Sequence, residues 1–402
     1  MRIGMIADLY KPHISGVTNY ISLSKQYLEK GGHEVFVFTF GSEAYIDDES
    51  NIIRSPGVPV SATGMHFNLN YSKKARHLLR TMDIVHVHHP FISGPLAIRY
   101  CRPYNIPIIF TSHTRYDLYA QAYLPAVADL IGETAIQAYL PAFCRLCDRV
   151  IAPSQGMQDV LIRLGVDSPV HVVPNGVDLK PFKQTAQTID RSELGFDKDD
   201  VVLIFVGRLG VEKNLAFLLR AFLGVAQAYA NVRLLLVGSG PEKENLQFQL
   251  KLVDPTETLV HFAGFVPYDQ LPGYLATSDA FVTASVTEVH PLSVIEAMAA
   301  GLPVLGISSP GIGDTIRDGI TGLLAQDNDI AIFTAKMVRL VTFQDERQSM
   351  GKQASIDADK YDIENTTNLM VQNYQDVIAQ SAERKVSLSK RVFRALSRRS
   401  SS

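Results

Sequence analysis

The feature of this sequence that most limits its fold is the alternation of short apolar runs with longer stretches of helical periodicity. A strand that is apolar along its whole length must be covered on both faces, as in parallel sheets whose connections are helices. The alternation forms two series, RIGMIA, EVFVFTF, DIVHVHHP, IPIIFTSHT, RVIAPS and VHVVPNG, and then DDVVLIFVGRLG, NVRLLLVGSGP, LVHFAGFV, AFVTASVTE and GLPVLGISSPG. The sequence therefore predicts an α/β chain with two doubly wound parallel-sheet domains. Ligands of such domains bind beyond the carboxyl ends of the strands, so two facing sheets predict a cleft between them.

The length of the chain also favours two domains. Its 402 residues exceed what one ordinary core holds, and 46% apolar with 20% charged residues is typical of a globular protein. We place the first domain at residues 1–183 and the second at residues 184–365, because the second strand series begins after the polar segment that follows PNGVDLKPF. Residues 366–402 are expected to form a C-terminal helix and a basic tail.

Charge, cysteine content and hydropathy argue against several classes of protein. A net charge of −3 gives no overall basis for nucleic-acid binding. Cys101, Cys144 and Cys147 cannot form a disulfide framework, and the C-x-x-C pair lies in an apolar pattern that favours buried residues over a redox or zinc site. No apolar run reaches the ~18–20 residues that span a bilayer, and the first residues resemble a strand more than a signal peptide. We expect a cytoplasmic protein, with a peripheral position on the inner face of a membrane as the alternative.

Two glutamates flank a short predicted helix in the stretch TEVHPLSVIEAMAAGLPV. Pro291 is predicted to be the first helical residue, where a missing N–H does no harm. Gly301 is predicted to end the helix in a left-handed conformation. Glu288 then stands before the positive end of the helix, and Glu296 lies about two turns inside it.

A diphosphate site is predicted at the carboxyl ends of the second-series strands. Arg208 and Lys213 follow one strand, and the helix N-terminus follows another. Two cations and a helix dipole suit a diphosphate, whereas a carboxylate would be repelled by it. Glu288 and Glu296 are therefore predicted to accept hydrogen bonds from hydroxyl groups on either side of the diphosphate. A nucleotide sugar has this arrangement, with its sugar toward Glu288 and its ribose toward Glu296.

Other interpretations of single motifs are weaker. The histidines of HVHHP have no carboxylate at ligand spacing, so no metal is expected. GSGP lacks the third glycine of a dinucleotide fingerprint, so no NAD cofactor is expected either. A single arginine or lysine in a loop is usually solvated surface, and a glutamate before a helix is usually a favourable dipole contact. The placement of the whole set after consecutive predicted strands is what favours a site.

Nearly the whole chain resembles the retaining glycosyltransferases of the GT-B fold, in the family that includes sucrose-phosphate synthases and phosphatidylinositol mannosyltransferases. The resemblance lies in ADLYKPHISGVTNYI, PNGVDLKPF, FVGRLGVEKN, LVGSGPEKENL and DAFVTASVTEVHPLSVIEAMAAGLPV. It implies that Gly16 allows close backbone approach to the donor phosphates, and that His113 of SHT lies near the primary hydroxyl of the sugar. It also implies that Arg208 and Lys213 neutralise the diphosphate. In this fold the terminal helix often crosses back to the first domain.

The resemblance also carries a mechanism and one departure. The family is thought to transfer the sugar with retention, with a phosphate oxygen of the leaving diphosphate taking the proton of the acceptor and no metal. Pro291 stands where the family usually has glycine. Because proline has no N–H, the amide contacts to the donor are expected from Leu292 and Ser293.

The acceptor is expected to be a membrane lipid of the diacylglycerol type. FTSHTRYDLYAQAYLP resembles the corresponding stretch of bacterial diacylglycerol glucosyltransferases, and the apolar run AVADLIGETAIQAYLPAFCRLC follows it. The basic segments YSKKARHLLR and RKVSLSKRVFRALSRR suit an anionic membrane surface. A hexose such as glucose from a UDP-sugar is the expected donor group, with UDP-galactose and GDP-sugars left open. A soluble acceptor, a nucleotide-sugar epimerase and a non-catalytic carbohydrate-binding protein remain as alternatives.

Overall fold

The computed structural model of the protein describes residues 1–42, 45–60, 65–118, 133–185, 188–256 and 258–399. The side chains of residues 59, 60, 65, 67, 133–137 and 385–399 lie outside that description. Residues 126–132 of the apolar run and the side chains of residues 385–399 in the basic tail therefore lie outside the described part of the chain. Across the described ranges, no helix combines the length and the hydropathy that crossing a membrane requires.

The first domain is built on a seven-stranded sheet in which every neighbouring pair is parallel. Its strand order is β3-β2-β1-β6-β7-β8-β9. The strands are β1 Arg2–Ile6, β2 Glu34–Phe40, β3 Ile52–Ser55, β6 Ile84–Val87, β7 Ile108–Thr111, β8 Arg149–Ala152 and β9 Val170–Val172. A separate antiparallel pair consists of β4 Val58–Val60 and β5 Met65–Phe67.

Helices cover both faces of this sheet. They are α1 Gly16–Lys30, α2 Lys73–Leu79, α3 Ser93–Cys101, α4 Glu133–Leu146 and α5 Gln155–Arg163. The start of α1 is fixed locally, because the Ser15 hydroxyl accepts from the Thr18 amide while the Thr18 hydroxyl oxygen accepts from the Ser15 amide. The helix is amphipathic, since Tyr20, Ile21 and Leu28 recur at helical spacing and are buried.

The second domain has a six-stranded, fully parallel sheet of order β12-β11-β10-β13-β14-β15. The strands are β10 Val201–Val206, β11 Val232–Val237, β12 Val260–Gly264, β13 Ala280–Val282, β14 Val304–Ile307 and β15 Gly322–Ala325. The helices from residue 180 onward are α6 Lys180–Lys183, α7 Leu215–Ala226, α8 Lys243–Lys251, α9 Leu271–Thr277, α10 Leu292–Ala299, α11 Ile312–Thr315, α12 Ile330–Thr342, α13 Gln344–Ala358 and α14 Ile363–Arg399. The predicted α/β class with two doubly wound parallel sheets is confirmed.

Every strand that the apolar runs predict is present, and the structure adds several that they do not. β3 has the sequence IIRS and β15 the sequence GLLA, which are too short and mixed to stand out as apolar runs. In each sheet the strand order reverses at one point, between β1 and β6 in the first and between β10 and β13 in the second. Such switch points are where doubly wound sheets bind ligands.

The C-terminal helix α14 starts beside the second domain and packs on the first. Met370, Tyr374 and Val377 are buried in the cluster that also holds Ile3 and Met5 of β1. Polar contacts extend along the same helix, because Arg149 of β8 donates to Asn373 at 2.8 Å. The helix therefore follows the second domain in the chain but anchors the C-terminal end to the first domain.

The chain passes between the domains through a tightly packed segment around Gly176. The Val177 amide donates to the Tyr361 carbonyl, and the Ile363 amide donates to the Val177 carbonyl, each at 3.0 Å. A Cβ on Gly176 would lie 2.1 Å from Thr366 Oγ1 and 2.8 Å from Ile363 Cα. The two segments that cross here, one at Gly176 and the other at Ile363, therefore touch at a point that has no room for a side chain.

The substitution Gly176→Ala tests this contact. We expect it to lower the free energy of unfolding by about 1–3 kcal/mol, as overpacking does. Gly224→Ala is the matched control, because Gly224 is exposed within α7 and its Cβ would only touch Thr334 Cγ2 at 3.8 Å. That change should leave stability equal or raise it by about 0.5–1 kcal/mol. Urea melts of both variants give the comparison, and equal melts would show that the crossing can relax at no cost.

Candidate active site

The loops at the two switch points face each other across the interdomain cleft. After β1, the loop runs through His13 to Gly16, the first residue of α1. Gly16 is exposed, and a Cβ built there would have no heavy atom within 4 Å. Burial lowers the pKa of His13, and the positive charge of Arg208 in the second domain lowers it further. The first-domain loop and the cationic loop of the second domain are therefore electrostatic neighbours.

Lys213 and Glu288 form an ion pair at the second switch point. Lys213 ends a short 3-10 turn, Val211–Lys213, and Glu288 lies in the loop after β13. Lys213 Nζ donates to Glu288 Oε1 at 2.5 Å, and the two side chains are only 21% and 18% exposed. Burial acts to raise the pKa of Glu288, but the charge and hydrogen bond of Lys213 outweigh it, so this pKa lies below its usual value. Glu288 is therefore ionised at neutral pH.

Arg208 has a carboxylate partner in the same loop. Its guanidinium donates to Glu212 Oε1 at 2.6 Å, and the arginine side chain is 50% exposed. The loop is tied down further, since Ser285 Oγ donates to the Glu212 carbonyl at 3.4 Å. Arg208 and Lys213 therefore stand in the same connection after β10, each beside a carboxylate.

Glu296 occupies the buried face of α10, where Tyr268 is its hydrogen-bond partner. The Tyr268 hydroxyl donates to Glu296 Oε1 at 2.9 Å. Burial raises the pKa of Glu296 to about 7, and the hydrogen bond from Tyr268 offsets only part of that rise. Tyr268 follows β12, so it too belongs to a loop at the carboxyl edge of the sheet.

The helix that carries Glu296 begins one residue later than predicted. Pro291 is not the first helical residue but the N-cap, with an extended ψ of 118°. Its carbonyl accepts the first helical bond, from the Ile295 amide at 3.4 Å. Leu292 and Ser293 are then the first two helical residues, whose amides have no acceptor within the helix. The predicted end is confirmed, because Gly301 has a φ of +83°.

His113 lies after β7 and is held by two aromatic neighbours. Its Nε2 lies 3.0 Å from Nδ1 of His88, and its ring centroid is 4.8 Å from that of Tyr20. Burial lowers the pKa of His113 well below its usual value, and the neighbouring histidines add to the effect. His113 is therefore a neutral imidazole at physiological pH.

Several contacts join the two domains beside these groups. The Asn175 side-chain amide donates to the His290 carbonyl at 3.1 Å. Asp314 accepts from the Gly156 amide at 2.6 Å, at the N-terminus of α5. Val289, next to Glu288, is buried within the core cluster of the first domain. The loop that carries Glu288 is thus fixed from both sides of the cleft.

Sequence reasoning missed four side chains of this region, namely His13, His88, Glu212 and Tyr268. Each stands in a loop at the carboxyl edge of a sheet or directly after a strand, and this position was the available signal. The prediction that Cys144 and Cys147 are buried is confirmed, and neither forms a disulfide. Within the described ranges, no group of three histidine, cysteine or acidic side chains is placed to hold a metal ion.

Each of the two domains matches a known protein family. Residues 14–181 match the family described as Glycosyltransferase Family 4, and residues 186–356 match Glycosyl transferases group 1. The alpha-monoglucosyldiacylglycerol synthase of Acholeplasma laidlawii is 31% identical over 350 residues, covering 82% of this chain and 86% of that protein. The chain belongs to the family of glycosyltransferases that these two descriptions cover. A second synthase of the same name, from Streptococcus pneumoniae, is 32% identical over 333 residues, covering 81% of this chain and 75% of its own length.

Solved structures agree on the fold of this glycosyltransferase. The sucrose-phosphate synthase of Thermosynechococcus elongatus superimposes with a TM-score of 0.77 at 22% identity, covering 94% of this chain and 99% of that one. HepE of Anabaena, solved in complex with UDP-glucose, gives a TM-score of 0.75 at 18% identity, with 94% and 100% covered. The GT-B architecture of two parallel-sheet domains across a cleft is therefore confirmed.

The pH dependence of stability tests the environment of Glu296. The pKa of Glu296 is about 7 in the folded protein against an ordinary 4.5. Between pH 4.5 and 7 the folded state therefore keeps a proton on this carboxyl that the unfolded state has lost. Stability is then lost as pH rises from about 4.5 through 7, by at most about 3 kcal/mol. In Glu296→Gln this loss should disappear, whereas Glu244→Gln, at an exposed position of α8, should keep it. Urea melts at pH 5.5 and 8.5 measure the difference, and parallel pH profiles for wild type and Glu296→Gln would contradict the assignment.

Proposed function

We propose that this glycosyltransferase moves glucose from UDP-glucose to the free hydroxyl of a diacylglycerol in a membrane, with retention at the anomeric carbon and without a metal ion. The observation that carries the proposal is the similarity over more than four-fifths of the chain to two synthases named for monoglucosyldiacylglycerol. The site geometry supports it, because two cations, a helix N-terminus and two buried carboxylates converge at the switch point of the second sheet.

The donor is proposed to lie along the second-domain side of the cleft. Arg208 and Lys213 would hold the diphosphate, with the amides of Leu292 and Ser293 at the positive end of α10. Glu288, which lies within 2.5 Å of Lys213, would then accept from hydroxyls of the sugar next to the diphosphate. Glu296, deeper on α10, would accept from the ribose. Gly16 supports close approach of the phosphates to the first domain, since no atom lies where its side chain would be.

The proposed reaction breaks the bond between the sugar C1 and the diphosphate oxygen. The acceptor oxygen bonds to C1 on the same face, and its proton passes to an oxygen of the leaving diphosphate. Arg208, Lys213 and the helix dipole stabilise the charge that develops on the leaving group, which is the role a metal ion plays elsewhere. His113, on the first-domain side, meets the sugar from the face that carries its primary hydroxyl.

An aromatic cluster beside His113 supports an apolar acceptor. The Phe91 ring lies 5.2 Å from that of Tyr116 and stacks on Tyr139 at 5.4 Å, while Phe91 remains 41% exposed. Phe91 follows β6 and Tyr116 follows β7, at the same sheet edge as His113, and Tyr139 lies on α4. An exposed phenylalanine backed by two aromatic rings offers contact area to an acyl chain near the glycerol hydroxyl.

A basic surface on the first domain supports an anionic membrane as partner. α2 and the end of α3 pack together and share cations and tyrosines. The Arg80 guanidinium lies 4.6 Å from the ring centroid of Tyr104, and that of Arg99 lies 5.4 Å from Tyr100. Basic side chains with interfacial tyrosines are typical of proteins that lie on anionic lipid. The exposed or half-buried cations of this surface are Lys73, Lys74, Arg76, Arg80, Arg99 and Arg102.

The transfer reaction is tested with UDP-glucose and diacylglycerol in mixed micelles. We expect an α-linked glucolipid by NMR, in a reaction that continues in excess EDTA. Lys213→Ala should lower turnover about 10²–10³-fold, as the loss of a preorganised charge partner does. Lys198→Ala is the control, because that lysine is exposed in the turn before β10. Transfer only to soluble acceptors, a β-linked product, or activity that returns only with manganese or magnesium would each contradict a part of the proposal.

Membrane binding is tested by co-sedimentation of the full chain with vesicles. Reversing two exposed cations, in Lys73→Glu with Lys74→Glu, should weaken binding to anionic vesicles about 30-fold or more, since each cation contributes about 1 kcal/mol. Lys198→Glu with Lys352→Glu changes the net charge equally on the second domain and should have little effect. Binding should also weaken with salt, because the Debye length falls below about 8–10 Å. If both pairs weakened binding equally, net charge rather than this surface would be responsible.

A further inference from the structure

Three histidines, of which His86 and His88 are fully buried and His113 is half-buried, form a column at the carboxyl edge of the first sheet. His86 and His88 lie on one face of β6 and its continuation, with ring centroids 4.1 Å apart. Both nitrogens of His86 have partners, the Tyr374 hydroxyl and Thr111 Oγ1, each at 2.7 Å. His88 differs, because Nδ1 lies 3.0 Å from His113 Nε2 whereas its buried Nε2 has no partner within the described structure.

The hydrogen bond between Nδ1 of His88 and Nε2 of His113 holds one ring proton, which one imidazole donates and the other accepts. Burial lowers the pKa of both imidazoles well below the usual value, so both are neutral and each carries a single ring proton. If His113 donated, the proton of His88 would sit on Nε2 as a buried N–H without an acceptor. If His88 donates, its Nε2 is only an acceptor that receives no hydrogen bond. Buried donors without an acceptor are rarer in proteins than buried acceptors without a donor, so His88 is the donor.

We propose that His88 is a positioning residue that fixes the tautomer of His113. His88 donates from Nδ1 to Nε2 of His113, so His113 carries its own proton on Nδ1. This inference rests on the proposed function for the role of His113, while the tautomer itself follows from the contacts of His88.

The consequence for chemistry is that His113 presents a hydrogen-bond donor to the cleft. Among the described residues none makes a hydrogen bond to Nδ1 of His113, and the Tyr20 ring against its face restricts rotation. A neutral imidazole with its proton on Nδ1 can donate to a sugar oxygen at that position but cannot accept a proton there. His113 is thereby excluded as the base, which agrees with a phosphate oxygen taking the acceptor proton.

Nitrogen NMR of the full-length protein labelled at histidine reads the tautomer directly. The two ring nitrogens of a neutral histidine differ in shift according to which one carries hydrogen, and His113→Gln assigns the signal among the eleven histidines. We expect His113 to have a protonated Nδ1 and a bare Nε2. A protonated Nε2 on His113 in the wild-type protein would overturn the proposal, whatever the enzyme is found to transfer.

Two substitutions of similar size separate positioning from packing. The amide of His88→Asn can still donate from the place of Nδ1, so the tautomer and kcat should stay near wild type. The carboxylate of His88→Asp can only accept, so His113 should acquire a proton on Nε2. We expect kcat to fall about 10–100-fold with little change in the KM for UDP-glucose, the size found for groups that orient metal-bound histidines. Equal kcat values for the two variants, with both folded by melting curve, would contradict the positioning role.

Tyr374→Phe is the control for a purely structural effect. It removes the 2.7 Å hydrogen bond to His86, in the same buried column, without touching His113. We expect lower thermal stability with an unchanged His113 tautomer and unchanged kcat. A change of tautomer in this variant would show that the whole column, rather than His88, sets the proton. If the tautomer results hold but no glucose transfer is observed, the positioning inference stands and the proposed function fails.

Discussion

The constraint on which the rest of this structure depends is that neighbouring parallel strands must be joined by a crossover connection, which in this chain usually contains a helix. All strands of each sheet therefore end at one edge, and where the order reverses the adjacent connections leave in opposite directions. The first reversal lies between β1 and β6 and the second between β10 and β13. The loops that carry Gly16, His88, Arg208 and Glu288 all begin at these two places, so the polar chemistry of the chain collects in one cleft.

The two sheets keep their relation because the chain ties the domains together more than once. The crossing at Gly176 is packed against Ile363 without space for a methyl group. α14 then buries Tyr374 in the first domain, where its hydroxyl reaches His86. Val289 inserts into the first-domain core beside Glu288. A residue of the second-domain site is thus positioned partly by the packing of the first domain, which links the geometry of the cleft to the stability of both cores.

Burial gives the charged and titratable groups of the cleft different roles. Lys213 and Arg208 each lie beside a carboxylate, so neither cation is desolvated without a partner. On the proposed function, an arriving diphosphate joins or replaces these partners rather than meeting bare charges. Glu296 has no cation partner among the described residues, and burial raises its pKa to about 7, whereas Glu288 beside Lys213 stays ionised. The histidines are neutral because burial disfavours their charged forms, which makes them hydrogen-bonding groups whose tautomers matter.

The sequence by itself determined most of the strands, the two-domain class and the loops in which the candidate site lies, because apolar runs, glycines and prolines act over a few residues. It also placed both ends of α10 to within one residue, Pro291 being the cap rather than the first turn. Only the tertiary structure decided the pairs, such as Lys213 with Glu288, Tyr268 with Glu296 and His88 with His113. These partners are 75, 28 and 25 positions apart, and their meeting depends on strand order and on the packing between sheets. The return of α14 to the first domain belongs to the same class, since a local pattern shows which helix face is apolar but not which surface will cover it.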